Sequence, residues 1–345
     1  MIKVKLTIPN NLKNIDIFNF TNTSDNVFNN KKYYINTHVD SPDFWFVNEN
    51  LYKTTYEEVE IDKKNIIFLG SETIYKEDYF LKDSKIKFLN QFDSIFSPKS
   101  IYLNNAVNTP PVLTWTLRGG PYIKYQESDI EYYENLYPIK NKKMSVYSSS
   151  KDITDHQKLR INFLNILQNR FDGYIDFFGE NFNNKTNTKE TGILNYKYHI
   201  VIENNIYKNI ISEKILDSYL GLSYPLYSGG SNLENFFPKD SFTKLDLNDF
   251  NGSIQKIEYI LDNDFYDKKV EVLKNARNTV LKDFNLIHRI DEIVENKLLL
   301  PENPKKIERI YSKKYFENKS FLAKLSFRIS STLNNIVDYL QKFYT

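Results

Sequence analysis

Hydrophobic positions in the first part of the chain cluster in short runs that polar, helical or irregular stretches separate. Five runs have the length and apolar composition of β-strands, at residues 1–9, 43–47, 65–69, 92–96 and 112–116. Strands that alternate with long connections are typical of a parallel sheet covered by helices. The pattern therefore predicts a parallel α/β domain in this half of the chain.

The second half of the chain repeats the alternation. Strands are expected at residues 144–147, 174–178, 199–202 and 224–227, and helices from about 154, from about 212, over 250–275 and over 283–300. A composition shift at Pro138 and the charged run 140–143 separates the halves. We predict two α/β domains, at 1–142 and 143–305, and a helical tail at 306–345.

Polar residues collect at the strand ends of the stretch 195–242. Glu203 and Asn204 follow one expected strand, and Glu213 and Lys214 begin the expected helix. The next strand ends at a double glycine that includes Gly229. Because ligands of open parallel sheets bind outside the carboxyl ends of the strands, these residues predict a ligand site.

Two further residues are candidates for chemistry. Glu72 follows the strand 65–69 through Gly70, which lets the backbone come close to a ligand; the alternative is a surface turn glutamate. Arg160 lies in the first turns of the helix expected from about residue 154. A helix start and a guanidinium together suit an anion, and the alternative is a solvated helix arginine.

Composition and charge exclude several classes of protein. The net charge of +2 argues against a general nucleic-acid binder. The absence of cysteine excludes disulfides, thiolate metal sites and cysteine nucleophiles. No signal peptide and no apolar run long enough to span a bilayer is evident, so the expected location is the cytoplasm.

The last part of the chain carries an amphipathic stripe. Its apolar members are Leu322, Leu325, Ile329, Leu333, Ile336, Leu340 and Phe343, and basic residues surround them. Two interpretations stay open. The helix packs on the body or on a partner copy, or it lies on the inner face of the cell membrane.

Three pieces of the stretch 195–242 resemble one known family. They are E-N-x(8)-E-K at 203–214, P-x-Y-x-G at 225–229 and F-x-P-x-x-S-F at 236–242. Their order and spacing resemble the donor-binding core of the α1,3/α1,4-fucosyltransferases, glycosyltransferase family 10. The piece 68–72 is similar to the family's strand that ends in a catalytic glutamate.

The resemblance implies a GT-B-like fold, in which two Rossmann-like α/β domains face a cleft. The acceptor-side domain would be 1–142 and the donor-binding domain 143–305. It further implies transfer from GDP-fucose with inversion at the anomeric carbon. Glu72 would be the catalytic base, and Arg160 and Lys214 would bind the donor diphosphate. The implied partners are the nucleotide sugar and a glycan acceptor, with no nucleic acid.

The resemblance also assigns the other donor-site residues. Glu213 would bind ribose or sugar hydroxyls, and Asn204 the sugar or the base. Glu203 would orient the loop, while Ser212 and Gly229 complete the donor-binding set. No cofactor is required by this scheme. Because no convincing D-x-D motif is present, metal dependence is left open.

Departures from the family pattern limit the donor assignment. The family tyrosine before the E-K motif is Ile210 here, and the aromatic before the strand-end glycine is Ser228. Another deoxy-sugar therefore stays an alternative to fucose. The expected acceptor is a bacterial surface glycan of the lipopolysaccharide or O-antigen type. The competing interpretation is a non-catalytic protein that binds a nucleotide sugar or a carbohydrate.

Overall fold

A computed structural model describes residues 1–8, 26–51, 53–71, 83–98, 103–111, 117–118 and 129–319. Within them the chain forms two parallel α/β sheets and a small two-stranded sheet. The predicted strand at 112–116 and the amphipathic stripe at 322–343 lie outside the described residues, and so does Glu72.

The first sheet has seven strands in the order β2-β3-β1-β4-β6-β7-β8. All its neighbours pair in parallel except β2 and β3. The strands are β1 (Ile2–Thr7), β2 (Val27–Phe28), β3 (Lys31–Ile35), β4 (Phe44–Asn48), β6 (Ile66–Leu69), β7 (Ser94–Ser97) and β8 (Ala106–Asn108). Two helices belong to this half, α1 (Asp83–Leu89) and α2 (Asp129–Asn135).

The second sheet is wholly parallel, in the order β10-β9-β11-β12-β13. Its strands are β9 (Lys142–Tyr147), β10 (Ile175–Phe178), β11 (Tyr196–Ile202), β12 (Tyr224–Ser228) and β13 (Thr243–Lys244). The helices around it are α3 (Asp155–Arg170), α4 (Glu213–Leu220), α5 (Phe250–Asn263), α6 (Val270–Asp283) and α7 (Leu286–Leu298). The two sheets confirm the predicted architecture of two α/β domains.

The central strand β11 is almost entirely buried because helices and loops cover both faces of its sheet. The first polar residue after the strand, Glu203, therefore has a defined position directly after Ile202. Helix α3 starts at an equally defined point. Thr154 is its N-cap and forms a capping box with Gln157, in which each side chain bonds to the other's backbone N–H.

The long helix expected at 250–275 is wrong, because the structure has two helices there. Asp264 adopts a left-handed backbone conformation at φ 35° and ends α5, and α6 begins at Val270 after a short 3-10 turn. The apolar spacing continues across this break, which explains why the pattern alone did not reveal it. The last predicted helix begins at Leu286, after the N-cap Asn285.

The expected helical tail from residue 306 is also wrong at its start. Residues Lys306–Tyr311 form β14, which pairs antiparallel with β5 (Tyr56–Ile61) of the first half. Helix α8 (Lys313–Lys319) follows and contacts α1. The chain therefore returns to the first half, and the boundary at residue 305 does not separate an independent tail.

Helix α7 joins the two halves as well. Lys31, which is fully buried on β3, forms an ion pair with Asp291 of α7 at 2.7 Å. Lys297 at the other end of the helix forms an ion pair with Asp93 at 2.6 Å. None of the helices in the described part of the chain is long and apolar enough to cross a membrane.

Candidate functional site

A cavity of ≈ 360 Å³ opens at the carboxyl ends of β9, β10 and β11. The strand ends contribute Ser148, Gly179 and Asn204 to its wall, and the first turn of α4 contributes Glu213 and Lys214. This is the edge at which a parallel α/β sheet binds its ligands. The predicted position of the site, at the strand ends of the second half, agrees with the cavity.

One wall of the cavity depends on a glycine. Gly179 has φ 102°, and a Cβ there would lie 2.3 Å from the carbonyl oxygen of Ser148. The close approach lets the Ser148 N–H donate to the carbonyl of Phe178 at 3.0 Å. The ends of β9 and β10 are therefore held side by side, and only glycine fits between them.

Arg160 reaches the cavity from α3 and is only 2 % exposed. Its Nη1 donates to Asn204 Oδ1 at 3.0 Å, and its Nη2 donates to the carbonyls of Lys151 at 2.8 Å and Ser149 at 3.2 Å. Its Nε has no hydrogen-bond partner among the residues that the structure describes. Arg160 and Asn204 are thus in direct contact, although these two predicted site residues lie far apart in the sequence.

Glu203 anchors the start of α4. Its side chain is fully buried and accepts hydrogen bonds from the Ser212 N–H at 2.9 Å, from the Ser212 hydroxyl and from Lys214 Nζ at 3.1 Å. Ser212 is also the N-cap of the helix, because its Oγ accepts from the Lys214 N–H at 3.3 Å. Glu203 and Ser212 lie behind the cavity wall and position Lys214 rather than lining the cavity.

The charges at the helix start are fixed by their neighbours. Burial alone would lower the pKa of Lys214, but the carboxylates of Glu203 and Glu213 raise it. Burial alone would raise the pKa of Glu213, but Lys214 and Lys189 lower it to about 2. The start of α4 therefore contributes to the cavity a charged ammonium, Lys214, that can bind an anionic group, and an ionised carboxylate, Glu213, that only accepts hydrogen bonds.

Gly229 supports the site from outside the cavity. A Cβ on it would lie 2.3 Å from the hydroxyl oxygen of Tyr227 and 2.5 Å from Cγ of Glu203. Glycine is therefore needed for the close packing of this turn against Glu203. Gly229, which the sequence predicted to bind the donor, therefore lies behind the residues that line the cavity.

Lys189 and Asp217 are among the charged residues of the cavity that the sequence analysis missed. Lys189 Nζ lies 2.8 Å from Oδ2 of Asp217, and Asp217 is fully buried on α4. Asp217 is four residues after Glu213, so helical spacing could have placed it on the same face. Lys189 lies in a polar loop without periodicity, where the sequence offers no such signal.

His199 lines the deep end of the cavity. It is 3 % exposed, as expected for a sheet residue, and its Nδ1 lies 2.8 Å from Ser145 Oγ. Ser145 donates its own hydroxyl to the carbonyl of Gly192, so the histidine Nδ1–H is the donor in this pair. Burial and then the charges of Lys189 and Lys140 lower the pKa of His199 to about 3.

Glu72, the expected catalytic base, belongs to the first half of the chain. Glu72 itself lies outside the described residues. Ser71, directly before it, donates its backbone N–H to Glu49 Oε1 at 2.6 Å, where β4 and β6 end next to each other. Among the described residues, no group of three or more His, Asp or Glu side chains could hold a metal ion.

The fold and the site together define the class of the protein. Two parallel α/β sheets, with a charged cavity at the carboxyl ends of the second, are the arrangement of a GT-B-like protein. Residues 138–269 match the model of the family described as "Glycosyltransferase family 10 (fucosyltransferase) C-term". This segment is therefore similar to the family 10 C-terminal domain, which confirms the resemblance found in the sequence.

Curated relatives are similar to a part of the chain. It is 31% identical over 113 residues to the "4-galactosyl-N-acetylglucosaminide 3-alpha-L-fucosyltransferase 9" of Mus musculus and 30% identical to that of Homo sapiens. Each match covers 32% of this chain and 30% of the relative. The chain therefore aligns with about a third of the length of these curated relatives.

Solved structures are similar over a longer part of the chain. One titled "Crystal Structure of alpha1,3-Fucosyltransferase with GDP" has a TM-score of 0.49 at 15% identity and covers 88% of this chain and 91% of that one. A "Glycosyltransferase from Rickettsia africae ESF-5" has a TM-score of 0.45 at 10% identity and covers 88% and 99%.

Proposed function

We propose that the protein is a glycosyltransferase that moves fucose, or a related deoxy-sugar, from a GDP-sugar to a hydroxyl of a glycan. The observation that carries the proposal is the meeting of Arg160, Lys214 and Glu213 at one cavity. That cavity lies within the segment matched by the family 10 model. Its charges suit a sugar linked through a diphosphate to a nucleoside.

Arg160 and Lys214 are proposed to hold the diphosphate. The unpartnered Nε of Arg160 and the ammonium of Lys214 provide hydrogen-bond donors and positive charge where the leaving group gains negative charge. Glu203 and Ser212 fix Lys214 before the donor binds, so little reorganisation is needed during the reaction. Glu213 accepts hydrogen bonds from ribose or sugar hydroxyls, and Asn204 bonds the sugar or the base.

Glu72 is proposed as the catalytic base of an inverting reaction. The acceptor hydroxyl gives its proton to the Glu72 carboxylate while its oxygen bonds to the anomeric carbon. On the opposite face the bond from that carbon to the diphosphate breaks, and the diphosphate leaves with the electron pair. One displacement inverts the configuration, and the scheme assigns no step to a metal ion.

Ile210 and Ser228, which depart from the family pattern, are both buried and do not line the cavity. Ile210 instead supports the turn through its carbonyl, which accepts from the hydroxyl of Tyr227 at 2.7 Å. This position outside the cavity favours a donor site that keeps its shape despite the two changes. Fucose is therefore our first choice of donor sugar, with another deoxy-sugar as the alternative.

The acceptor is proposed to be a bacterial surface glycan of the lipopolysaccharide or O-antigen type. Transfer would take place in the cytoplasm, at the inner face of the membrane. The amphipathic stripe at 322–343 supports a peripheral membrane contact or self-association, since its apolar side is flanked by basic residues.

A carboxylate exchange tests the catalytic assignment. Glu72→Gln should lower the rate of sugar transfer from GDP-fucose by at least about 100-fold, because a general base contributes roughly that much. Its affinity for GDP, measured by calorimetry, should stay unchanged. Glu49→Gln is the matched control at the same sheet edge, and it should keep most of the activity.

Undiminished transfer by Glu72→Gln, or loss of transfer only in Glu49→Gln, would show that the base is assigned to the wrong carboxylate. If the wild-type protein binds GDP-fucose but transfers its sugar to no glycan, the competing interpretation of a non-catalytic binding protein is correct.

A further inference from the structure

Lys189 reaches the cavity from the polar loop that follows β10. It begins a short 3-10 helix at Lys189–Gly192, and its side chain lines the cavity. Its Nζ lies 2.8 Å from Oδ2 of Asp217 and 4.0 Å from Oε1 of Glu213, so one ammonium faces two carboxylates of the same helix. The loop is thereby joined to the first turns of α4.

The helix needs such a cation at this place. Glu213 and Asp217 are four residues apart on α4, so their carboxylates lie on one face and repel each other. Asp217 is fully buried, and a buried carboxylate is very costly without a counter-charge. Lys189 supplies a positive charge next to both carboxylates of this pair.

Glu213 is held from two sides. Lys214 Nζ lies 3.8 Å from its carboxylate and Lys189 Nζ lies 4.0 Å away, so both distances exceed that of a normal hydrogen bond. The two cations attract the carboxylate without using its lone pairs in short hydrogen bonds. The group is thus ionised and oriented, with capacity to accept hydrogen bonds from a ligand that enters the cavity.

We propose that Lys189 is a positioning residue of the donor site. It holds the Glu213 carboxylate in the orientation that accepts hydrogen bonds from the ribose hydroxyls of the nucleotide. The polar loop after β10 is therefore part of the donor site. This inference rests on the proposed function, because it takes the ligand to be a guanosine diphosphate sugar.

The test compares nucleotides with and without ribose hydroxyls. Titration calorimetry with GDP and with 2′,3′-dideoxy-GDP should show that the wild-type protein prefers GDP. In Lys189→Met the Kd for GDP should rise about tenfold, the equivalent of one lost charge-assisted hydrogen bond. The Kd for dideoxy-GDP should change little, so the preference disappears.

Two single variants serve as controls. Lys185→Met removes a lysine of the same loop that is 70% exposed and paired only with Glu180 among the described salt bridges, and it should bind both nucleotides like the wild type. Lys189→Arg keeps the charge and should retain most of the preference for GDP. A uniform loss of affinity for both nucleotides in Lys189→Met would overturn the proposal, since it would indicate a merely structural role.

A double variant keeps the test decisive if Lys189→Met folds poorly. Lys189→Met with Asp217→Asn removes the buried carboxylate and its partner ammonium together, which is much less costly than leaving the carboxylate unpaired. The proposal expects the double variant still to lack the preference for GDP. Wild-type preference in the double variant would show that Lys189 only neutralises Asp217, and would overturn the proposal.

The outcomes separate this inference from the proposed function. If the wild-type protein binds no GDP, the proposed function fails and takes the inference with it. If the wild type prefers GDP over dideoxy-GDP and Lys189→Met does the same, the proposed function stands and the role of Lys189 is wrong.

Discussion

At the scale of single residues, the site is a set of charges whose partners fix their protonation. The Glu203 carboxylate accepts hydrogen bonds from the start of α4. Lys214 keeps its charge because the carboxylates of Glu203 and Glu213 raise its pKa by more than burial lowers it. His199 is uncharged instead, because burial and nearby lysines lower its pKa. The same cavity therefore contains stable ions and one histidine that resists protonation.

The buried histidine makes a prediction about pH. With the pKa of His199 lowered to about 3, the unfolded protein binds more protons than the folded protein between that value and about 6.5. Stability due to neutral His199 is therefore present above about pH 6.5 and is lost as the pH falls toward 3. Between pH 7 and pH 5 the loss should be about 2 kcal/mol.

His199→Asn isolates this effect, because an asparagine amide can still donate to Ser145 but does not titrate. Urea unfolding at pH 7 and pH 5 should show a smaller loss of stability in the variant than in the wild type. Equal losses in the two proteins would show that His199 is accessible to protons in the folded state.

At the scale of elements, the sequence predicted the parts whose polar ends follow apolar runs. Strands β9, β11 and β12 and the starts of α3 and α4 agree with prediction to within about three residues. Their burial on both faces produces a continuous apolar signal. The sequence alone therefore predicted one edge of the second sheet as the position of Arg160, Asn204 and Lys214.

Other elements gave no comparable signal. The strand β14 is mostly exposed, and charged residues alternate with its apolar ones. Its partner β5 lies about 250 residues earlier in the chain, so the local sequence pattern did not reveal the pair. Lys189 was missed for a similar reason, because its partner Asp217 is a tertiary neighbour. Contacts between distant segments are set by packing, which a single sequence does not display.

The turn after β10 carries a prediction at this scale. Gly179→Ala would have to accommodate both φ 102° and a Cβ 2.3 Å from the Ser148 carbonyl oxygen, so it should lower stability by about 3 kcal/mol or more. It should also weaken GDP binding, because the turn forms a wall of the cavity.

Gly173→Ala is the matched control for Gly179→Ala. Gly173 has φ 77° and nothing within 4 Å of an added Cβ, so only the backbone strain of about 1 kcal/mol remains, with unchanged GDP binding. Urea unfolding and calorimetry check both variants. Equal behaviour of the two would show that the contact with Ser148 is not what shapes the cavity.

At the scale of the whole molecule, the loop before α4 connects the cavity with the first half of the chain. The Asn209 side chain donates from Nδ2 to Asn108 Oδ1 at the end of β8 and accepts at Oδ1 from Asn232 Nδ2. The backbone N–H of Asn209 donates to Asn232 Oδ1. Three residues further along the chain, Ser212 caps the helix that carries Glu213 and Lys214. A base from the first half and a donor held by the second would thus meet across this contact.

The most direct test of the account is the binding of nucleotides by the wild-type protein and by Lys214→Met, measured by calorimetry with GDP, UDP and CMP. The account predicts that the wild type binds GDP best. It also predicts that Lys214→Met raises the Kd for GDP at least about tenfold, since a charge-assisted contact to the diphosphate is lost, while Lys185→Met does not. Binding of UDP or CMP alone, or unchanged GDP binding in Lys214→Met, would contradict the assignment of this cavity as a GDP-sugar site.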